Sequence, residues 1–361
     1  MTGAGAMGGT EAMWAQQKAI DDINAKGGVD VGGKKMQLKV KFIDDKSDAN
    51  EAAAAVEKLA KVEGCKIILG TQTVSLTMAA AIVAEKLNVL YQQVTLWTSF
   101  AREQNYKWSP DLFLTPEAVG EVPFNMVDTA AESERPGKWS ILTEDTNDGQ
   151  GLGEGVKAMA AKHGYEVALY QTYTPGTKDY SSIILKMKES GTDAVVILAT
   201  PADAITVAKQ MKEQNYSPKY MMGWKGFWPT EFMQGLQKDS DYICFDGFWS
   251  EDLPFPGAKE LGTAYREAHD DIDSVSIGLP YAAVQVVAMA IERAGSDDPA
   301  KVRDEIYGGT FEETMMGDIT YDELGVADIT PLGFQWLDGK RVVIYPDQGN
   351  ELQWFVPWDQ R

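Results

Sequence analysis

Residues 3–8, Gly3-Ala4-Gly5-Ala6-Met7-Gly8, match G-x-G-x-x-G, the spacing by which a tight turn presents a pyrophosphate to a helix N-terminus. That chemistry needs a strand before the glycines and a ribose-binding acid about 20 residues after them. Only Met1 and Thr2 precede Gly3, and Asp44, near the end of MQLKVKFIDD, lies well beyond that distance. A Gly-rich strand-to-helix loop is the simpler reading. Thr10 then caps a helix with Met13, Trp14, Ala19, Ile20 and Ile23 on one face. No cofactor is implied.

Other enzyme chemistry is equally thin. The chain has no G-x-S-x-G, no G-x-x-x-x-G-K-[ST] and no H-E-x-x-H. Its two histidines read as helix-end residues, His163 before a capping glycine and His269 in REAHDD. DGQGLGEG, residues 148–155, opens a helix and reads as a close-packed turn. Cys65 and Cys244 stand far apart without C-x-x-C spacing, so no metal site is expected.

Hydroxyls and aromatics at strand ends offer a different chemistry. After KIILG come Thr71-Gln72-Thr73-Val74-Ser75 and then a helix, an arrangement suited to a carboxylate. The next strand ends in Val94-Thr95-Leu96-Trp97, and KYMMG runs into Trp224-Lys225-Gly226-Phe227-Trp228. Thr200, at the end of DAVVILAT, joins the candidates. Apolar walls with a few convergent polar groups describe a small-molecule pocket.

Such strand ends must be positioned by parallel sheets. The sequence alternates β-branched runs (MQLKVKFI, KIILG, NVLYQQ, KWSILTE, YEVALYQTY, DAVVILAT, KYMMGW, DYICFDGF) with amphipathic helical stretches, which predicts an α/β fold. One pattern of glycine, strand, acidic turn, helix and strand occurs twice, from Gly32-Gly33 to KIILG and from Gly164 to DAVVILAT. Two α/β lobes of similar topology, with a ligand cleft between them, follow from that repeat. The tail has two helices and then FQWL-Asp338-Gly339-KRVVIY, a hairpin. With 361 residues and 44% hydrophobic content the chain suits two globular domains. A net charge of −21 argues against nucleic acid and anionic membranes as partners.

The stretch AIDDINAKGGVDVGGKKMQLKVKFIDDKSDANEAAAAVEKL, the turn and helix GTKDYSSIILKMK, the helix PYAAVQVVAMAIERAGSDDP and the terminal GFQWLDGK together resemble the periplasmic leucine/isoleucine/valine-binding proteins. These are the type I solute receptors of ABC importers, and the resemblance covers essentially the whole chain. It implies a type I periplasmic binding protein fold, two Rossmann-like lobes joined by three crossovers. The crossings fall near Leu114–Ala118, Gly247–Ser250 and Asp328–Leu332. The first lobe is then 1–116 with 249–329, and the second 117–248 with 330–361. The family's first strand runs into the Gly-rich loop, so this chain begins just after it, and a secretion signal would lie upstream.

The resemblance also implies a site. Thr73, Val74 and Ser75 stand where the family binds the ligand carboxylate, and Val94-Thr95-Leu96, beside Trp97, at its next strand end. Gly8 replaces an aromatic residue and Asp148-Gly149 replaces Tyr-Gly. Lys225 stands where the family's glutamate receives the ligand ammonium, which favours an amine-free aromatic or aliphatic acid beside Trp97, Trp224, Phe227 and Trp228. Asp148 supplies an alternative counter-charge and keeps a branched-chain amino acid open. The expected function is an extracytoplasmic, non-enzymatic, monomeric receptor that closes about its ligand and docks on permease subunits. An intracellular sensor on the same fold is the alternative.

Overall fold

The computed structural model describes residues 2–3 and 5–361, so Ala4 of the glycine motif and Met1 lie outside the description. Two compact units emerge. The first comprises Met1–Thr115 and Phe248–Thr330, the second Pro116–Gly247 and Pro331–Arg361. No described helix is long and apolar enough to cross a membrane.

The second unit carries a seven-stranded sheet in the order Lys340–Tyr345, Leu332–Leu337, Cys244–Gly247, Tyr220–Lys225, Ala194–Ala199, Lys138–Glu144, Glu166–Tyr173. The five strands from Cys244–Gly247 onward run parallel, and the terminal hairpin adds to them antiparallel. Every residue of AVVILA is buried, as a parallel strand covered on both faces requires. Asp338 and Gly339 both take positive φ (51° and 72°), the backbone that a two-residue type I′ turn demands. Helices Pro116–Asp128 and Asn147–Lys162 cross through glycines: a Cβ on Gly120 would stand 2.6 Å from the Val156 nitrogen, and one on Gly155 2.3 Å from the Pro116 oxygen. DGQGLGEG, expected as a turn, is instead the start of that second helix, and its glycines allow the close approach.

In the first unit Ile67–Leu69 pairs in parallel with Leu90–Gln92, and Asp111–Phe113 with Val326–Asp328. A bridge from Gln93 to Asp111 joins the two pairs. Helices Ala6–Ala25 and Gly278–Ala294 pack together, as do Ala49–Lys61 and Val74–Leu87.

Two expectations are corrected here. MQLKVKFI is not a strand: only Met36 belongs to one, in a hairpin of Val29–Val31 with Lys34–Met36. Leu38, Val40 and Phe42 alternate with Lys39 and Lys41 as in a strand. Strands, however, exist through hydrogen-bonded neighbours, and an apolar cavity of about 500 Å³ lies beside this segment instead. Thr10 is not an N-cap. The helix already starts at Ala6, and the Thr10 hydroxyl donates back to the Ala6 carbonyl at 2.8 Å. The buried face of that helix is Ala12, Ala15, Gln16, Ala19 and Ile20, leaving Met13 and Trp14 half-exposed.

Candidate functional site

In the first unit the strand ends gather hydroxyls. Thr95 Oγ donates to the Thr71 carbonyl and shares a hydrogen bond with Thr77 Oγ, both at 2.8 Å, which fixes the two loops together. Thr73 and Ser75 flank the start of helix Val74–Leu87, where no side chain caps the first turn. Their hydroxyls lie 3.5 Å apart, and Ser75 is exposed. Uncapped N–H groups with two adjoining hydroxyls form a receiver for an anion. Thr73 adopts φ 73°, ψ 147°, a region that β-branched residues avoid. Such strain, costing about 1–3 kcal/mol, collects at functional positions.

The neighbouring candidates do other work. Val74, Val94 and Leu96 are buried core residues. Trp97 is 7% exposed and packs on Phe113 at 5.4 Å between ring centroids, so its ring also belongs to the core. Gly8 lies inside the first helix, with room for a Cβ only 3.3 Å from the Gln72 side-chain oxygen. These residues support the strand ends instead of lining them.

In the second unit the site is electrostatic. Glu144, Ala199 and Lys225 close three neighbouring strands, and the parallel register brings their ends level. Across the small Ala199, Lys225 Nζ reaches Glu144 Oε1 at 2.5 Å and Asp148 Oδ2 at 3.7 Å. Glu144 is fully buried, whereas the Lys225 side chain is 31% exposed. Burial pulls the lysine pKa down, but Asp148 and Glu144 outweigh it and hold it above its ordinary value. Thr146 Oγ donates to the same Glu144 oxygen at 2.9 Å. Two carboxylates share one ammonium, so the triad carries a net charge of −1 when all three are ionised. Lys225 is also strained, with φ 62°, and Gly226 beyond it is pressed against the Thr200 backbone, where a Cβ would stand 2.4 Å from the Thr200 oxygen.

Strand alternation sorts the remaining candidates. Trp224 faces away from Lys225 and is 3% exposed, and Phe227 is wholly buried on Phe232 at 4.8 Å. Trp228 is half-buried and donates its indole N–H to Asp246. Burial pushes that carboxyl up to about 8, although the Trp228 bond opposes the shift. Thr200 caps helix Pro201–Glu213 and donates to Asp203 at 2.8 Å, so its hydroxyl is already engaged. The sequence reading missed Glu144 and Asp246. Their signal was an acid at the end of a run that is otherwise apolar.

The comparisons with known proteins agree with this architecture. The family described as "Periplasmic binding protein" matches residues 1–328. The Leu/Ile/Val-binding protein homolog 3 of Brucella melitensis is 26% identical over 95% of this chain and 90% of its own length. Homolog 7 of Brucella suis is 25% identical over 94% and 88%. Among solved structures, the branched-chain amino acid transporter substrate-binding protein LivJ of Streptococcus pneumoniae, in complex with isoleucine, superposes with a TM-score of 0.81 at 24% identity, covering 98% of this chain and 97% of that one. The leucine-binding protein LivK of Thermotoga maritima gives 0.82 at 20% identity, with 95% of each chain covered. The two-unit α/β chain described here belongs to the periplasmic binding protein family.

Proposed function

We propose that this chain is the extracytoplasmic solute-binding receptor of an ABC importer, and that its ligand is a small amino acid with an apolar or aromatic side chain. The Glu144–Lys225–Asp148 triad carries the reading. A lone lysine would repel a ligand ammonium by several kcal/mol at low effective dielectric. A lysine already paired with two acids leaves surplus negative charge and does not. The uncapped helix start between Thr73 and Ser75 suits the carboxylate. No covalent step is required; binding works through the hinge closure that the family resemblance implies, which permease subunits would then read.

A second reading has its own observation. The partial exposure of Lys225 leaves a cation within reach of a third carboxylate, that of a ligand, which favours an amine-free acid. A thermal-shift panel separates the two: leucine, isoleucine, valine and phenylalanine against the same skeletons without the amine. At a hundred times its dissociation constant a ligand stabilises by about 2.7 kcal/mol, a shift of several degrees. Shifts from the amino acids support the main reading, and shifts from the amine-free acids alone support the second. Silence from both series would refute the receptor assignment to this ligand class.

A further inference from the structure

We propose that the terminal hairpin positions the binding turn: Trp336 and Arg341 hold the carbonyls of Phe227 and Trp228, and through them the Lys225 ammonium. Both are positioning residues for the receptor site, a role that rests on the function proposed above. Trp336 Nε1 donates to the Phe227 carbonyl at 3.0 Å. Arg341 donates to the Trp228 carbonyl twice, from Nε at 3.0 Å and from Nη2 at 2.8 Å. The same Nη2 reaches the Thr230 hydroxyl at 3.1 Å. Two consecutive peptide groups are thus held by side chains 109 and 113 residues further along the chain.

The hairpin aims those donors. Its Asp338-Gly339 turn sets Trp336 opposite Arg341 in the antiparallel register, and residues so paired share a face. The guanidinium lies over the buried Trp336 indole, 4.7 Å from its ring centre, which leaves its N–H edge for the carbonyl. The turn needs such a clamp. Lys225 holds φ 62°, and a residue with a side chain keeps that backbone only where its surroundings impose it. At the entry of the turn the Gly226 N–H donates to the Ala199 carbonyl at 2.7 Å. The Phe227 ring lies against Gly223, where a Cβ would stand 2.1 Å from it. At the exit Trp336 and Arg341 take the two carbonyls ahead of Pro229 and helix Thr230–Leu236. A turn held at entry and exit directs the Lys225 side chain onto Glu144 and Asp148.

The test reads the ammonium itself. Acetic anhydride labels an amine only in its neutral form, so a lysine held against two acids should react slowly. In the full chain carrying Arg341→Met, labelling of Lys225, followed by mass spectrometry, should run about five- to tenfold faster than in the parent. Arg341→Lys keeps one donor and should fall between the two; it decides by the same readout should the methionine variant not fold. Gly120→Ala weakens the same unit elsewhere and should leave Lys225 labelling unchanged. Parent-like labelling in the Arg341 variants, or equal acceleration in Gly120→Ala, overturns the clamp. A second arm measures the binding of leucine and of 4-methylpentanoate, its amine-free counterpart, to parent and variant. A displaced ammonium should change the ratio of the two affinities about fivefold or more. An unchanged ratio beside accelerated labelling overturns the part of the hairpin in recognition. If the parent binds neither compound, the receptor reading fails, while the labelling still decides whether the hairpin holds the lysine.

Discussion

Replacing Lys225 with methionine removes the only cation that faces Glu144 and Asp148 in the triad and keeps most of the aliphatic stem. Glu144 is fully buried and would retain only the Thr146 hydroxyl. Breaking a buried ion pair from one side costs about 3–5 kcal/mol, but the lysine is one-third exposed, so about 2–3 kcal/mol is expected near pH 7. Protonation sets a ceiling. Neutralising an ordinary glutamate carboxyl costs about 3.7 kcal/mol at pH 7 and about 1 kcal/mol at pH 5. The penalty must therefore shrink as pH falls, because the variant can bind a proton in place of the lost lysine. Urea denaturation at pH 5 and pH 7, alongside the parent, measures this directly. At about 2–4 °C per kcal/mol for a unit of this size, melting should drop by roughly 4–12 °C at pH 7 and by a few degrees at pH 5. The double variant with Glu144→Gln should recover most of the loss. A penalty independent of pH, or a double variant as weak as the single one, would show that the lysine acts through packing and not through charge.

Asp246 should make the second unit lose stability as pH rises. Its folded pKa, about 8, lies above the ordinary value of 3.8, so the contribution is complete below about pH 4 and gone above about pH 8. Asp246→Asn keeps an acceptor for Trp228 and should flatten that slope, which pH-dependent unfolding would reveal; an unchanged slope would exclude Asp246 as its source. Gly120→Ala should cost about 1–3 kcal/mol, since its Cβ would press on the Val156 nitrogen and backbone cannot rotate aside. A neutral result in chemical denaturation would mean that the two helices separate easily. Thr95→Val should cost about 1 kcal/mol in the first unit by removing the hydroxyl that donates to the Thr71 carbonyl, the Thr77 hydroxyl keeping the Thr73 carbonyl, again read from denaturation, and an unchanged midpoint would sink it.

Some of this was written plainly in the chain. KWSILTE names the strand Lys138–Glu144 residue for residue, and DAVVILAT contains Ala194–Ala199, because a buried parallel strand reads as an apolar run. MQLKVKFI carries the alternating strand signal and still forms no strand, since the pattern describes a face and says nothing of the hydrogen-bonded neighbour. At the strand ends the sequence pointed to Thr73, Ser75, Asp148 and Lys225, which stand at the proposed site, and also to neighbours that the structure places in the core. Adjacent strand residues face opposite ways, so Trp224 entered the core while Lys225 turned toward Glu144, and Phe227, in the turn beyond the strand, packs on Phe232. Glu144 was read as the last letter of its strand, and only its level with Ala199 and Lys225 across the sheet gives it a role.

Strained backbone stands at both strand ends of the proposed site. Thr73 and Lys225 both hold a positive φ that their side chains disfavour, and each stands at a strand end with hydroxyls or charges around it. Such backbone persists only where the surroundings over-determine it. Around Lys225 they do: Gly226 donates its N–H to the Ala199 carbonyl at 2.7 Å and lies flat against Thr200. A turn fixed from both sides holds the ammonium against Glu144, so under the proposed function little reorganisation is left for the binding step. That preorganisation is what a receptor needs to discriminate by charge, because an ammonium free to swing could accommodate either an amine or an acid.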